Sequence, residues 1–188
     1  MAAKSNLLNM VLCLSAVCLV CSALLGGVYS LTADPIARTN ANILKESIGA
    51  VLPEGADLSG SKSLEVGGVA SEYYEGLCDG ETVGYAIKST VSGFGGPLVL
   101  MVGLTPDGKV YNTSVLSHSE TPGLGAKCTT DEHFMNQFKG LDPAEKTLAV
   151  VKDGGNVDAI TASTITSRAY SLAIKNAVEA FGTIKKGE

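Results

Sequence analysis

The sequence predicts an α+β fold: one N-terminal transmembrane helix, then a compact domain of antiparallel hairpins with flanking helices. Three observations carry this. No charged residue stands between Lys4 and Asp34, an interval made mostly of Leu, Val, Ala, Cys and Met. Two pairs of β-rich runs are each joined by a turn signal, Asp79-Gly80 and Pro106-Asp107-Gly108. Over the last stretch, from Ile165 to Phe181, apolar residues recur at helical spacing.

Composition narrows the function classes. At 188 residues there is room for one ordinary domain beside the membrane segment. A formal net charge of -5 leaves no basic field to neutralise a phosphate backbone, which argues against nucleic-acid binding. With 45% hydrophobic and 18% charged residues, the chain is too apolar to be disordered.

The first element is the run from Leu7 to Leu31. At about 1.5 Å per residue, roughly 20 such residues cross a hydrocarbon core of about 30 Å. A cleaved signal peptide competes, with Val28-Tyr29-Ser30 as its cleavage site, but a signal h-region spans only about 7–15 residues, so a retained anchor is favoured. A lipoprotein is disfavoured because Val17 precedes Cys18 and Val20 precedes Cys21. Lys4 and Arg38 flank the run on opposite sides and give little orientation; the acidic domain beyond Asp34 favours the outside.

Ile36, Ile43, Leu44, Ile48 and Leu52 then mark a juxtamembrane amphipathic helix ending at Pro53, and residues 54–70 read as a Gly/Ser-rich loop. Strands are expected over Tyr73–Leu77 and Thr82–Thr90, and again over Leu98–Leu104 and Val110–Ser117. Thr129 and Glu132 have capping-box spacing ahead of a short helix over 131–139, ended by Gly140. Thr147–Lys152 is a further strand candidate. The final helix carries Ile165, Ala169, Leu172, Asn176 and Ala177 on one side, with Tyr170, Ile174, Val178 and Phe181 beside them, and Gly182 closes it. The expected parts are thus an anchor over 1–33, a juxtamembrane helix over 34–53 and a domain over 54–188.

Of five cysteines, Cys13, Cys18 and Cys21 lie in the apolar run. Cys78 and Cys128 lack the spacing of a zinc or iron–sulfur site, and whether they pair is not fixed by sequence. Two segments stand out. Five of the seven residues 161–167 carry a hydroxyl, preceded by Asp158 and opening the last helix. Ordinary N-capping needs one hydroxyl. Five point to an oxyanion, with phosphate first, at a helix N-terminus where free N–H groups and the dipole favour negative charge. The second segment, His118 to Lys127, is a Pro-Gly turn whose glycines permit close approach of a flat ligand.

In these residues the chain resembles the FMN-binding G subunit of the Rnf electron-transport complex, and its relative, the C subunit of the sodium-pumping NADH:quinone reductase. The likeness covers the anchor, Gly93-Phe94-Gly95-Gly96-Pro97, Glu120-Thr121-Pro122-Gly123-Leu124-Gly125 and the hydroxyl motif. The family's flavin-transferase target maps onto Asp158, Thr161, Ala162, Ser163, Thr164 and Thr166, with Ala162 where the family usually has Gly and Ser163 where it usually has Ala. The resemblance implies covalent FMN, joined by its phosphate to the Thr164 hydroxyl, in an extracytoplasmic FMN-binding domain. It sets Glu120, Thr121, Gly123 and Leu124 against the isoalloxazine, with Lys127 as a polar contact, and it assigns no catalytic acid or base.

The implied function is a single-pass flavoprotein of the bacterial inner membrane, relaying electrons within an Rnf-type ferredoxin:NAD oxidoreductase coupled to ion translocation. Its partners would be the other Rnf subunits and, during maturation, a flavin transferase. Rnf is preferred to the quinone reductase because the chain is short. A non-redox, membrane-tethered module that binds a phosphate ligand reversibly, or a free-standing exported flavoprotein, would share parts of this sequence.

Overall fold

The computed structural model describes residues 7–66 and 69–187, without side-chain detail for 65–70. Lys4, the expected N-terminal flank of the apolar run, and Gly67-Gly68, within the expected loop, lie outside the described residues. The chain divides after Ile43 into two units.

The first unit is helical throughout its described length and belongs to helix α1, Leu7–Val51. One helix therefore covers both the expected span and the expected juxtamembrane stretch, running through Pro35 although that residue cannot donate to the Leu31 carbonyl. The apolar side chains of this unit, Leu8, Leu14, Leu19 and Leu25 among them, are exposed. The helix is long and apolar enough to cross a membrane, and none of its most apolar window is covered by protein. Such a surface is stable only where lipid solvates it.

In the second unit, strands β1 (Asp57–Leu58), β2 (Lys62–Val66), β3 (Val69–Cys78), β4 (Glu81–Ser92), β5 (Pro97–Leu104) and β6 (Val110–His118) form one antiparallel sheet in the order β1-β3-β4-β5-β6, with β2 also on β3. The turn signals act as the sequence predicts. Asp79 and Gly80 both take positive φ, 51° and 85°, as a two-residue I′ hairpin requires. Gly108, at φ 86°, donates its N–H to the Thr105 carbonyl at 2.9 Å and closes the β5–β6 turn.

The period-2 alternation of β4 and β5 gives the sheet two buried faces. Tyr85, Ile87, Leu100, Val102 and Leu104 pack against helix α3 (Thr164–Gly187), through Tyr170, Ala173, Ile174 and Ala177. Ala86 and Met101 face the other way, onto Ile48, Val51 and Leu52 at the end of α1. Close approach on that face needs glycine: a Cβ on Gly103 would enter the Val51 carbonyl. Asn112 on β6 donates its Nδ2 to the Ala50 carbonyl at 2.8 Å, satisfying one of the helix-end acceptors.

Several expectations are corrected. The loop over 54–70 contains β1 and β2, whose pairing to β3 overrides their Gly/Ser content. The short helix α2 (Glu132–Asn136) is capped by Asp131, which accepts the Phe134 N–H at 3.2 Å, not by Thr129. Thr129 ends a 3-10 helix, Gly125–Thr129, and its hydroxyl turns back to Ala126. Thr147–Lys152 is no strand; Val150 makes one isolated parallel bridge to Val157 before a 3-10 turn, Val151–Asp153. α3 continues through Gly182 to Gly187, and Ile165 and Leu172, grouped on one side with Ala169 and Ala177, are half-exposed.

Cys78 and Cys128 are free thiols, the first exposed and the second fully buried. Burial, aided by the charge of Glu120, pushes the Cys128 thiol up to about 11. Because that lies above the ordinary value of about 8.5, Cys128 contributes stability at neutral pH that is lost as pH rises from there through about 11. A thiol reagent at pH 8 should therefore modify Cys78 and spare Cys128 until the protein is denatured, as peptide mass mapping would read; equal labelling of both in the native state would contradict this burial.

Candidate functional site

Three segments distant in sequence meet at one end of the sheet. The first is the turn between β4 and β5, closed by the Gly93 N–H on the Gly96 carbonyl at 2.8 Å. The second follows β6. Thr121-Pro122-Gly123-Leu124 forms a tight turn with Pro at its second place and Gly123 at φ 76°, the type II pattern, and the Leu124 N–H returns to the Thr121 carbonyl at 3.2 Å. The third is the start of α3. Ala162 sits at φ 60°, and Ser163 occupies the N-cap, its carbonyl accepting the Ser167 N–H at 3.0 Å.

Between them lies a cleft of about 310 Å³, lined by Phe94, Glu120, Thr121, Leu124, Gly125 and residues 162–166. That is the lower end of the roughly 300–1,000 Å³ usual for small-molecule sites. Its rim is apolar: Phe94, Leu124 and Ile165 are 67%, 44% and 50% exposed. Its base is a helix N-terminus, whose first backbone N–H groups have no acceptor within the helix. An apolar plate with an anionic tail matches this pairing of a greasy rim and an anion-favouring floor.

The hydroxyls of the motif can be accounted for one by one. Thr166, fully buried, donates to Glu120 Oε2 at 2.7 Å. Ser167 donates to the Ser163 carbonyl at 3.0 Å and accepts the Ile160 N–H at 2.9 Å. Thr161 is exposed and outside the cleft lining. Ser163 is 6% exposed, and its Oγ, in the cleft wall, has no partner among the described residues. Thr164 is half-buried, lines the cleft and forms no side-chain hydrogen bond among the described residues. An orphaned buried hydroxyl beside free helix N–H groups is a polar demand that a bound phosphate would meet.

The structure thus brings together Glu120, Thr121, Leu124, Ser163, Thr164 and Thr166. Gly123 belongs to the turn behind Leu124. Asp158 stands apart, its backbone held by Gln137, whose Oε1 accepts the Asp158 N–H at 2.7 Å. Lys127 is exposed on the 3-10 helix and does not line the cleft. Sequence reasoning missed Phe94 and Ile165 as lining residues. A large apolar residue flanked by glycines in a hairpin turn, and one in the first turn of a helix, were the available signals. Among the described residues no His, Cys, Asp or Glu cluster could hold a metal.

Backbone geometry bears on the departure at Ala162. At φ 60° an L-residue pays roughly 1–2 kcal/mol that glycine avoids, partly offset by glycine's freer unfolded chain. Ala162→Gly should accordingly raise stability by about 0.5–1 kcal/mol in denaturant titration; a loss of stability would show that Ala162 is not strained.

Comparison with known proteins fits this geometry. The FMN-binding domain family matches residues 93–179, from the first glycine of the β4–β5 turn into α3. The chain is 35% identical over 178 residues to the G subunit of the proton-translocating ferredoxin:NAD(+) oxidoreductase complex of Clostridium ljungdahlii, covering 93% of this chain and 91% of that protein. It is 34% identical over 184 residues to the G subunit of the ion-translocating oxidoreductase complex of Methanosarcina acetivorans, covering 95% and 96%. The crystal structure of the C subunit of the Na(+)-translocating NADH-quinone reductase from Parabacteroides distasonis shares the fold, with a TM-score of 0.50 at 24% identity over 73% of this chain and 80% of that one. With such identity sustained over nearly the whole length of its relatives, the chain belongs to the family of G subunits of Rnf-type ion-translocating oxidoreductase complexes.

Proposed function

We propose that this chain is the membrane-anchored flavoprotein component of an Rnf-type ferredoxin:NAD oxidoreductase, relaying electrons through an FMN held in the cleft and esterified to Thr164. FMN, when bound, supplies the redox chemistry; the protein supplies attachment, orientation and tuning. The observation that carries the reading is the state of the hydroxyls at the start of α3. Thr166 and Ser167 are committed to internal hydrogen bonds, Ser163 is buried, and of the hydroxyls opening α3 that line the cleft only Thr164 is half-exposed and unpartnered among the described residues.

Each part of the cleft has a task in this reading. The N–H groups opening α3 and the Ser163 hydroxyl receive the phosphate, and the Thr164 oxygen forms the phosphoester, adding FMN with net loss of one water. Leu124 and Phe94 cover the apolar ring, and Thr121 reaches its edge. A flavin transferase approaching the exposed side of Ala162 and Thr164 would make the bond. The test is the intact mass of protein from cells with an active transferase, with a peptide map of residues 153–168. FMN less water on the Thr164 peptide is expected, and an unmodified peptide would refute the reading.

The helix α1 anchors the chain, and we assign the domain to the external face of the cytoplasmic membrane, where its acidic surface meets no anionic inner leaflet. Protease added to right-side-out vesicles should digest the domain in step with an external marker. Complete protection while that marker is cut would place the domain inside.

A further inference from the structure

We propose that Glu120 is the positioning residue of the cleft: its buried carboxylate clamps the Gly93–Gly96 turn to the first turn of α3, and so sets the distance between the ring-covering lip and the Thr164 anchor. This rests on the reading that the cleft receives FMN, and it changes the role that family resemblance gives Glu120, from ring contact to support behind the ring.

Glu120 is 6% exposed. Its Oε1 accepts the Phe94 N–H at 2.8 Å and the Gly95 N–H at 3.3 Å. Its Oε2 accepts the Thr166 hydroxyl at 2.7 Å. Its own N–H donates to His118 Nδ1 at 3.2 Å, tying the carboxylate's backbone to the end of β6. Among the described residues it forms no ion pair, so these N–H and O–H groups are what compensate a buried negative charge.

Two glycines make room for the clamp. A Cβ on Gly93 or on Gly125 would strike the Glu120 carboxylate. The segments it joins lie 26 and 46 residues away in sequence. Apart from the clamp, the β4–β5 turn is closed on itself by Gly93 on Gly96. Thr166 commits its hydroxyl to Glu120, which explains a threonine at that place in the motif without giving it a phosphate contact. Phe94, exposed at the lip, is thereby held by its backbone while its ring stays free to cover a ligand.

Every partner in the clamp belongs to the chain itself, so it can be tested with and without the cofactor. The full chain in detergent, made without transferase, is compared by hydrogen exchange as wild type, Glu120→Ala, Glu120→Gln and Thr166→Val. Glu120→Ala should speed exchange of the Phe94 and Gly95 amides about 10- to 100-fold, the scale of losing a hydrogen bond to a charged group, while β5 keeps its protection as evidence of folding. Glu120→Gln, whose amide oxygen still accepts both N–H groups and whose nitrogen can donate to Thr166, should restore most protection. Thr166→Val should loosen the start of α3 but not residues 94–95. Coexpressed with transferase, Glu120→Ala should load less flavin and hold it with altered visible circular dichroism, and Glu120→Gln should recover both. Unchanged exchange at 94–95 in Glu120→Ala would overturn the clamp. A Glu120→Gln protein that keeps the protection yet fails to load would overturn the positioning role, since the charge itself would then act on the flavin. If wild type carries no flavin at all, the functional reading fails while the exchange measurements still decide the clamp.

Discussion

Thr164→Ala protein, coexpressed with an active flavin transferase, should be colourless after denaturation while its domain remains folded. The hydroxyl is the only polar group this substitution removes from the cleft, and it serves no hydrogen bond among the described residues whose loss would weaken the start of α3. A half-exposed site without such a role changes stability by about 0.5 kcal/mol or less. Attachment should not migrate. Thr166 is fully buried on Glu120, and Ser163, adjacent but 6% exposed, is placed to donate a hydrogen bond to the phosphate rather than to be esterified by it. Thr161→Ala, outside the lining, should leave the adduct in place, and Thr164→Ser should keep at least part of it. Mass mapping of residues 153–168 in wild type and the three variants decides the matter. A full adduct in Thr164→Ala, or its loss in Thr161→Ala, would move the attachment point away from the half-exposed, unpartnered hydroxyl at the start of α3.

What is legible in the sequence and what is concealed follow from the range of the interactions involved. The strands β3 to β6 are legible because their pattern is local: β-rich runs such as Thr82–Thr90 and Leu98–Leu104, joined by turn residues that must take positive φ at Gly80 and Gly108. β1 and β2 are not, because each is specified by its partner. Two residues, Asp57 and Leu58, become a strand only against Leu77 and Gly76. Helix ends behave similarly. Gly182 reads as a stop, yet continued packing of Ile184 onto the core carries α3 past it. At the site, residue type locates the chemistry, and the hydroxyl cluster and the Pro-Gly turn indeed share one cleft. The division of labour is illegible. Nothing in the spacing of Glu120 and Thr166 says that they bond to each other, or that Phe94 lines the same cleft as Thr121. Those relations are tertiary, and even the resemblance to a family conveys the residues without their partners.

Glycine-to-alanine changes at three positions separate the causes that make a glycine necessary, and Gly125→Ala should be the most damaging. A Cβ there would meet Glu120 Oε2 and the Thr166 hydroxyl, with the Glu120 Cβ at 3.0 Å, and none of these can retreat without breaking the carboxylate's hydrogen bonds. Gly125 is buried at the start of the 3-10 helix and has no positive φ, so the cost is steric and falls on the site. Overpacking of this kind costs about 1–3 kcal/mol. For a domain of this size that lowers Tm by roughly 3–10 °C. Flavin loading should fall with it. Gly123 has nothing within 4 Å but sits at φ 76°, so Gly123→Ala carries only the left-handed penalty of about 1 kcal/mol and shifts the turn that aims Leu124. Gly182 is mid-helix with nothing within 4 Å, so Gly182→Ala should stabilise by roughly 0.5–1 kcal/mol through helix propensity. Thermal unfolding of the full-length variants should therefore rank Gly182→Ala above wild type, then Gly123→Ala, then Gly125→Ala. A Gly125→Ala protein as stable and as fully loaded as wild type would mean that the carboxylate, the hydroxyl and the 3-10 helix are not packed as described, and the cleft would lose the rigid wall on which its chemistry depends.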